Sequence, residues 1–175
     1  TDTLYGLAVD PRNPDAIARL YALKGRDARA ALPLIAADLP QAEEAGRFDD
    51  DARRLANAWW PGPLTIVVPV GPAIHASALG GGRTVAVRVP DHAVARALAR
   101  AFGFGITSTS ANPSGRTPAV SPDEVAAGLP GVDLLLDAGD APGGAPSTIV
   151  GFRDGVPECV RTGAVAWERV LESLR

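Results

Sequence analysis

The fold is decided by the stretch Thr84-Val85-Ala86-Val87-Arg88-Val89-Pro90, in which valines alternate with threonine, alanine and arginine until a proline closes the run. Such alternation is typical of a β-strand that buries one of its faces. Arg88 therefore shares a face with Thr84, opposite the valines. The run Leu64-Thr65-Ile66-Val67-Val68 predicts a second strand, and the spacing of the two runs allows them to pair antiparallel.

Helical patterns alternate with short strands along the rest of the chain. Further strands are predicted at residues 32–35, 105–108, 133–136 and 147–150. Helices are predicted from Asn13-Pro14 to Lys24, from Asp49 to Trp60, from a cap at Asp91 to Gly103, after the capping box Ser121-Pro122-Asp123-Glu124, and over residues 165–174. The predicted fold class is α/β of the α+β type, with a twisted, mixed parallel and antiparallel sheet flanked by helices. Because the chain has 175 residues, of which 46% are hydrophobic, we expect one domain over residues 1–175.

Composition and motifs exclude several classes of protein. The formal net charge of -3 argues against a protein that coats nucleic acid through bulk charge. Cys159 is the only cysteine, which favours the reducing cytoplasm, and no apolar run is long enough to span a membrane. The sequence contains no P-loop, dinucleotide fingerprint or Gly-x-Ser-x-Gly elbow. His75 and His92 lack the spacing of a zinc site and are interpreted as surface or cap residues.

Lys24 is the only lysine in a chain that otherwise uses arginine, and it stands in Leu23-Lys24-Gly25-Arg26 at the exit of a predicted helix. A compact, mobile ammonium at this one position suggests contact with phosphate. The alternative is a cation that complements the helix dipole, with Gly25 as a left-handed cap. We expect Lys24 to lie outside the core, so that Lys24→Ala retains the fold.

The remaining candidates are hydroxyl, amide and guanidinium groups on loops and strand ends, which bind and position anions. They are Thr1, Thr3, Lys24, Arg26, Thr84, Arg88, Ser108, Ser110, Asn112, Ser147, Thr148 and Arg161. None is an obvious nucleophile with its base, so the set favours nucleotidyl transfer without a covalent intermediate. Each also has a plainer interpretation, such as Ser110 and Asn112 as turn formers and Arg88 as a charge on the sheet surface.

Seven motifs, in chain order, resemble the successive motifs of the YrdC/TsaC family. They are Thr1-Asp2-Thr3-Leu4-Tyr5-Gly6-Leu7, Lys24-Gly25-Arg26 with Pro33-Leu34, Trp60-Pro61-Gly62-Pro63-Leu64-Thr65, residues 84–90, Ser110-Ala111-Asn112-Pro113-Ser114-Gly115, Ser147-Thr148-Ile149 and Arg161-Thr162-Gly163. The resemblance covers nearly the whole chain and implies a YrdC-like fold of the short, single-domain type. Relatives have a further helix and strand before the first motif, so we expect an N-terminal segment to be missing here.

The resemblance implies a threonylcarbamoyl-AMP synthase, a nucleotidyltransferase of tRNA modification. Its substrates would be L-threonine, bicarbonate or CO2, and ATP, and its products threonylcarbamoyl-AMP and pyrophosphate. Mg2+ would be bound through the phosphates, with no metal ligands from the chain. The implied partners are tRNA-modification proteins that use the product, together with weak RNA binding and no membrane.

The resemblance also assigns roles to individual residues. Lys24 and Arg26 would be catalytic and hold the ATP phosphates, and the nucleotide site would be completed by Thr84, Ser110, Asn112 and Arg161. Threonine would be bound by Thr3, Arg88, Ser108 and Ser147. Arg88 is suited to gripping the threonine carboxylate with two parallel hydrogen bonds. The loop from Gly139 to Pro146 would close over the site.

Two other functions stay open. A carbamoyl-adenylate-forming domain, of the kind fused in hydrogenase-maturation proteins, shares these motifs. A non-catalytic RNA-binding or ribosome-assembly factor would use the same basic cleft. The acidic overall charge and the absence of interleaved aromatic and basic residues argue against the RNA-binding function.

Overall fold

The computed structural model describes Thr1 and residues 4–175. The described residues form eight strands, which are β1 (Gly6–Leu7), β2 (Leu34–Ile35), β3 (Leu64–Pro69), β4 (Thr84–Arg88), β5 (Ile106–Thr107), β6 (Thr109–Ser110), β7 (Thr148–Arg153) and β8 (Val156–Arg161). Six of them form one sheet in the order β5-β2-β4-β3-β7-β8. The β2–β4 and β3–β7 pairs are parallel, whereas the β2–β5, β3–β4 and β7–β8 pairs are antiparallel. The predicted mixed sheet and the antiparallel pairing of β3 with β4 are confirmed.

Helices flank this sheet, and the ends of some of them were predicted from their capping residues. They are α1 (Pro14–Lys24), α2 (Leu39–Ala45), α3 (Asp50–Trp59), α4 (Ala93–Phe102), α5 (Pro122–Gly128) and α6 (Trp167–Glu172), with a 3-10 helix at Ala76–Leu79. The Asn13 side chain accepts hydrogen bonds from two backbone N–H groups at the start of α1, and Gly25 ends that helix at φ 58°. The capping box between Ser121 and Glu124 begins α5.

The two faces of the six-stranded sheet differ in polarity. Its core face carries residues that are at most 2% exposed, namely Leu34, Leu64, Ile66, Val85, Val87 and Val150. The register aligns Ile35 with Arg88 and Thr65 with Ile149, so these four side chains lie on the opposite face. Each fully buried valine or leucine stabilises the fold by roughly 1.5–3 kcal/mol. A slip of one residue would place Arg88 in the core, so burial of the valines specifies the register.

The chain leaves the large sheet between β5 and β6, where only Ser108 separates the two strands. β6 pairs antiparallel with β1 in a separate two-stranded sheet. The Ser108 N–H donates to the carbonyl of Pro33, 2.7 Å away, next to β2. The strand predicted at residues 105–108 is therefore divided, and Ser108 is held at the junction.

Other predicted elements also differ from the structure. The cap of α4 is His92, whose Nδ1 accepts from the Ala95 N–H at 3.3 Å, and the predicted cap at Asp91 is wrong. The predicted strand at 133–136 is wrong, because these residues pair with no strand in the described part of the chain and Leu134 is 73% exposed. α2 and β8 were not predicted. α2 has only seven residues, with Pro40 in its first turn, and β8 is an edge strand with Pro157 inside it.

Candidate active site

A cavity of about 380 Å3 opens on the polar face of the large sheet. Thr65, Ala86, Arg88 and Ile149 line it from the sheet itself. Its remaining walls come from the segment before β1, the segment after α1, the junction between β5 and β6, the start of β7 and the end of β8. Seven of the candidate residues line this cavity, namely Thr1, Arg26, Arg88, Ser108, Ser110, Ser147 and Arg161.

The cavity concentrates positive charge in an acidic chain. The guanidinium groups of Arg26, Arg88 and Arg161 line it, and its described lining residues include no Asp or Glu. Burial, followed by the charge of Arg88, lowers the pKa of Arg161 from its ordinary value. Arginine nevertheless stays protonated at neutral pH. An anion that enters the cavity would relieve the repulsion between these two cations.

Arg161 and Ser147 are joined by several hydrogen bonds. Nη2 of Arg161 donates to the Ser147 carbonyl at 2.7 Å and to its hydroxyl oxygen at 3.1 Å, and Nε donates to the same carbonyl at 3.2 Å. The Ser147 hydroxyl also lies 2.8 Å from the Thr65 hydroxyl. The guanidinium at the end of β8 thus holds the start of β7, and Ser147 is held from two sides.

Arg26 and Lys24 follow one another closely in sequence but point to different places. Arg26 lines the cavity, where it donates to the Thr109 hydroxyl and the Ala31 carbonyl, each at 3.1 Å. Its Nε is buried without a hydrogen-bond partner among the described residues. Lys24 is only 3% exposed, and its ammonium donates to the carbonyl oxygens of Ser110 and of Asn112, the latter at 2.7 Å.

The expectation that Lys24 lies outside the core is therefore wrong. It is the last residue of α1, and its ammonium reaches the neighbouring Ser110–Asn112 turn rather than solvent. The Ser114 N–H returns a hydrogen bond to the Lys24 carbonyl at 2.7 Å. Lys24 thus fixes the Ser110–Asn112 turn against α1. Its ammonium is not among the groups that line the cavity.

Asn112 and Thr84 lie away from the cavity lining. The Asn112 side-chain amide donates to the Pro113 carbonyl at 2.9 Å and to the Arg116 carbonyl at 2.6 Å, which supports a turn-forming role. Its Oδ1 is buried without a hydrogen-bond partner among the described residues. Thr84 is exposed at the start of β4, on the face that Arg88 shares. Thr3 lies outside the described residues.

Thr65 was not predicted as a site residue, although it lies within a quoted motif. It is 4% exposed and lines the cavity on the face of β3 opposite Leu64 and Ile66. A hydroxyl in an otherwise apolar strand was the available signal. Its partner Ser147 lies 82 residues away in the chain, so their contact could not be found from local pattern.

The loop expected to close the site borders two cavities. Pro146 lines the arginine cavity, whereas residues 139–142 line a second, more apolar cavity of about 420 Å3. The Tyr5 hydroxyl donates to the Gly139 carbonyl at 2.5 Å, which ties this loop to the segment before β1. Closure of the loop stays a prediction. We place the candidate site in the arginine cavity because its described lining has no carboxylate, whereas Asp133 and Asp140 line the apolar cavity.

The pH dependence of stability should report the burial of Lys24. Burial, followed by the charge of Arg26, lowers the pKa of Lys24 from 10.5 to about 8. Between these two pH values the unfolded chain holds a proton that the folded chain has released. The free energy of unfolding should therefore rise with pH in this window more steeply for the wild type than for Lys24→Met. Urea unfolding of both proteins from pH 7 to pH 10.5 measures how the free energy of unfolding changes with pH. The same pH dependence in both proteins would contradict a lowered pKa of Lys24.

The mixed sheet and its arginine-lined cavity define an α/β domain with a cationic cavity, and comparison with known proteins gives its family. A family profile for Sua5, YciO and YrdC proteins, described as telomere recombination, matches residues 1–163. The threonylcarbamoyl-AMP synthase of Bacillus subtilis strain 168 is 35% identical over 173 residues, covering 97% of this chain and 50% of that protein. The synthase of Idiomarina loihiensis is 39% identical over 155 residues, covering 86% of this chain and 83% of that protein.

Solved structures are similar along nearly the whole chain. The crystal structure of P. abyssi Sua5 complexed with L-threonine superposes with a TM-score of 0.92 at 31% identity, covering 99% of this chain and 52% of that one. The chain belongs to the Sua5/YciO/YrdC family, as its motifs predicted. It spans about half the length of the Bacillus and P. abyssi proteins.

The described residues are Thr1 and residues 4–175. These residues contain no group of three or more His, Cys, Asp and Glu side chains placed to hold a metal ion. Within the same part of the chain, no helix combines the length and apolar character needed to cross a bilayer. His75 and His92 both cap helices, as interpreted from the sequence.

Proposed function

We propose that the chain carries out threonylcarbamoyl-AMP synthesis from L-threonine, bicarbonate or CO2, and ATP. The observation that carries this proposal is the cavity lined by Arg26, Arg88 and Arg161 without a carboxylate among its described lining residues. Threonine, bicarbonate and ATP all present carboxylate, carbonate or phosphate oxygens, which guanidinium groups bind well. The names of the Bacillus and Idiomarina relatives favour this activity over the carbamoyl-adenylate and RNA-binding alternatives.

The proposed reaction has two steps. The amine nitrogen of threonine attacks the carbon of CO2 and loses a proton, which forms a carbamate. A carbamate oxygen then attacks the α-phosphorus of ATP. The bond from that phosphorus to the oxygen bridging the β-phosphate breaks, and pyrophosphate leaves with the bonding electrons. Fixed cations lower the barrier because negative charge grows on the leaving pyrophosphate.

Within this proposal the threonine and nucleotide occupy neighbouring parts of one cavity. Arg88 would hold the threonine carboxylate, with Ser108, Ser147 and, outside the described residues, Thr3 completing that site. ATP would lie against Arg26, Ser110 and Arg161. Contacts from Thr84 and Asn112, which lie outside the cavity lining, stay predictions. Direct contact of Lys24 with phosphate stays a prediction. Its hydrogen bonds to the Ser110–Asn112 turn support a role in positioning that turn.

Mg2+ would enter this site as part of the nucleotide substrate. The described residues offer no acidic cluster for a resident ion, whereas ATP phosphates carry their own Mg2+ in solution. Four further expectations stay predictions. They are the tRNA-modification partners, the weak RNA binding, the single domain and the cytoplasmic location.

Pyrophosphate release from ATP tests the proposed function. Threonine and bicarbonate are each omitted in turn, and release is expected only when both are present. Release that ignores threonine would support carbamoyl-adenylate formation instead. If the folded chain releases no pyrophosphate but binds RNA with a steep salt dependence, the proposal is overturned in favour of the RNA-binding alternative.

A further inference from the structure

The hydroxyl groups of Thr65 and Ser147 form a hydrogen-bonded pair inside the cavity. They lie 2.8 Å apart, and their residues are 4% and 9% exposed. Nη2 of Arg161 donates to the same Ser147 hydroxyl from another side at 3.1 Å. A serine hydroxyl has one proton to donate and two lone pairs with which to accept. Arg161 occupies one of those lone pairs, because a guanidinium can only donate.

The direction of the Thr65–Ser147 bond follows from where each proton can go. If Ser147 donated to Thr65, the Thr65 proton would need an acceptor in the cavity, because the described residues offer it no other hydrogen bond, and Thr65 is the less exposed of the two residues. A buried unpaired hydroxyl proton costs roughly 1–3 kcal/mol. If Thr65 donates to Ser147 instead, both Ser147 lone pairs are filled. The Ser147 proton then remains available to the cavity that the residue lines.

We infer that Thr65 is a positioning residue that makes the Ser147 hydroxyl an obligatory hydrogen-bond donor to the substrate. The substrate atom opposite Ser147 must then be an acceptor, and an amino-acid carboxylate meets this requirement in a cavity that also holds Arg88. The inference rests on the proposed function for the identity of the amino acid. Thr65 acts through Ser147, since its own proton is already used.

Threonine binding and turnover in three Thr65 proteins test this inference. Thr65→Val keeps the shape of the side chain but removes the donor. It is expected to raise the KM and the Kd for L-threonine about tenfold, with kcat and the KM for ATP within twofold of the wild type. Thr65→Ser keeps the hydroxyl and should show the wild-type KM and Kd for L-threonine. A matched control, Val67→Thr, makes the reverse isosteric change on the same face of β3 but outside the cavity lining, and should change neither constant.

A double-mutant cycle separates positioning from a loss of packing. Ser147→Ala alone should weaken threonine binding, and adding Thr65→Val to it should produce no further loss. Additive effects, or unchanged threonine binding in Thr65→Val, would overturn the inference. Calorimetric binding of L-threonine keeps this result separate from the proposed function. A wild-type chain that binds threonine without releasing pyrophosphate contradicts only the proposed reaction, whereas one that does not bind threonine contradicts both.

Discussion

Arg88→Lys is expected to lower kcat/KM for L-threonine about 100-fold while the KM for ATP changes little. One hundredfold corresponds to about 2.7 kcal/mol, which lies within the range of about 1.5–3 kcal/mol for a hydrogen bond to a charged group. Lysine keeps the charge of Arg88 but cannot reproduce the planar fork that meets a carboxylate with two bonds. Arg88 is only 7% exposed, so little water can reach the site to replace the hydrogen bond that lysine cannot make.

The measurement is initial pyrophosphate release at varied threonine and saturating ATP and bicarbonate. Arg83→Lys provides the matched control, because Arg83 precedes the same strand but is exposed and absent from the cavity lining. The control should retain wild-type kinetics. Unchanged threonine dependence in a folded Arg88→Lys protein would remove Arg88 from the threonine site.

Gly163→Ala is expected to destabilise the fold by about 3 kcal/mol and to displace Ser147. A Cβ atom at Gly163 would lie 2.3 Å from the Pro146 carbonyl oxygen and 2.5 Å from both the Ser147 carbonyl carbon and the Thr148 nitrogen. These are backbone atoms at the start of β7, which pairs with β3 in the middle of the sheet. The clash cannot be relieved by turning a side chain, so the backbone that carries Ser147 must move.

For a chain of this size the loss corresponds to a fall in Tm of roughly 6–12 °C. Thermal unfolding followed by circular dichroism measures it, and pyrophosphate release measured well below the Tm tests the displacement of Ser147. Gly128→Ala is the matched control, because its Cβ would meet only Pro113 Cδ at 3.9 Å. Alanine should be neutral or slightly stabilising there, since Gly128 is helical. A wild-type Tm for Gly163→Ala would contradict this prediction, because it would mean that the backbone around Gly163 and Ser147 accommodates the methyl group without loss of stability.

Local elements were predictable where a few neighbouring residues decide the structure. The two ends of α1 depend on Asn13 and Gly25, and the start of α5 depends on its capping box. The face of β4 that carries Arg88 followed from the alternation of its valines. The strand predicted at 133–136 was wrong because its run of leucines is typical of a buried strand, although Leu134 and Leu136 are exposed. β8 was missed because it is an edge strand that depends on pairing with β7.

By itself the sequence determined the mixed α/β class, the family motifs and the set of polar residues from which a site could be built. Composition and periodicity carry this information because capping, alternation and burial act over a few residues. Only the tertiary structure decided which of these polar residues lie close together. It brings Arg26, Arg88 and Arg161 to one cavity and turns Lys24 onto the Ser110–Asn112 turn. It also brings Thr65 into contact with Ser147, because β3 pairs with β7. These two residues are 82 positions apart in the chain, so local sequence pattern could not predict their contact.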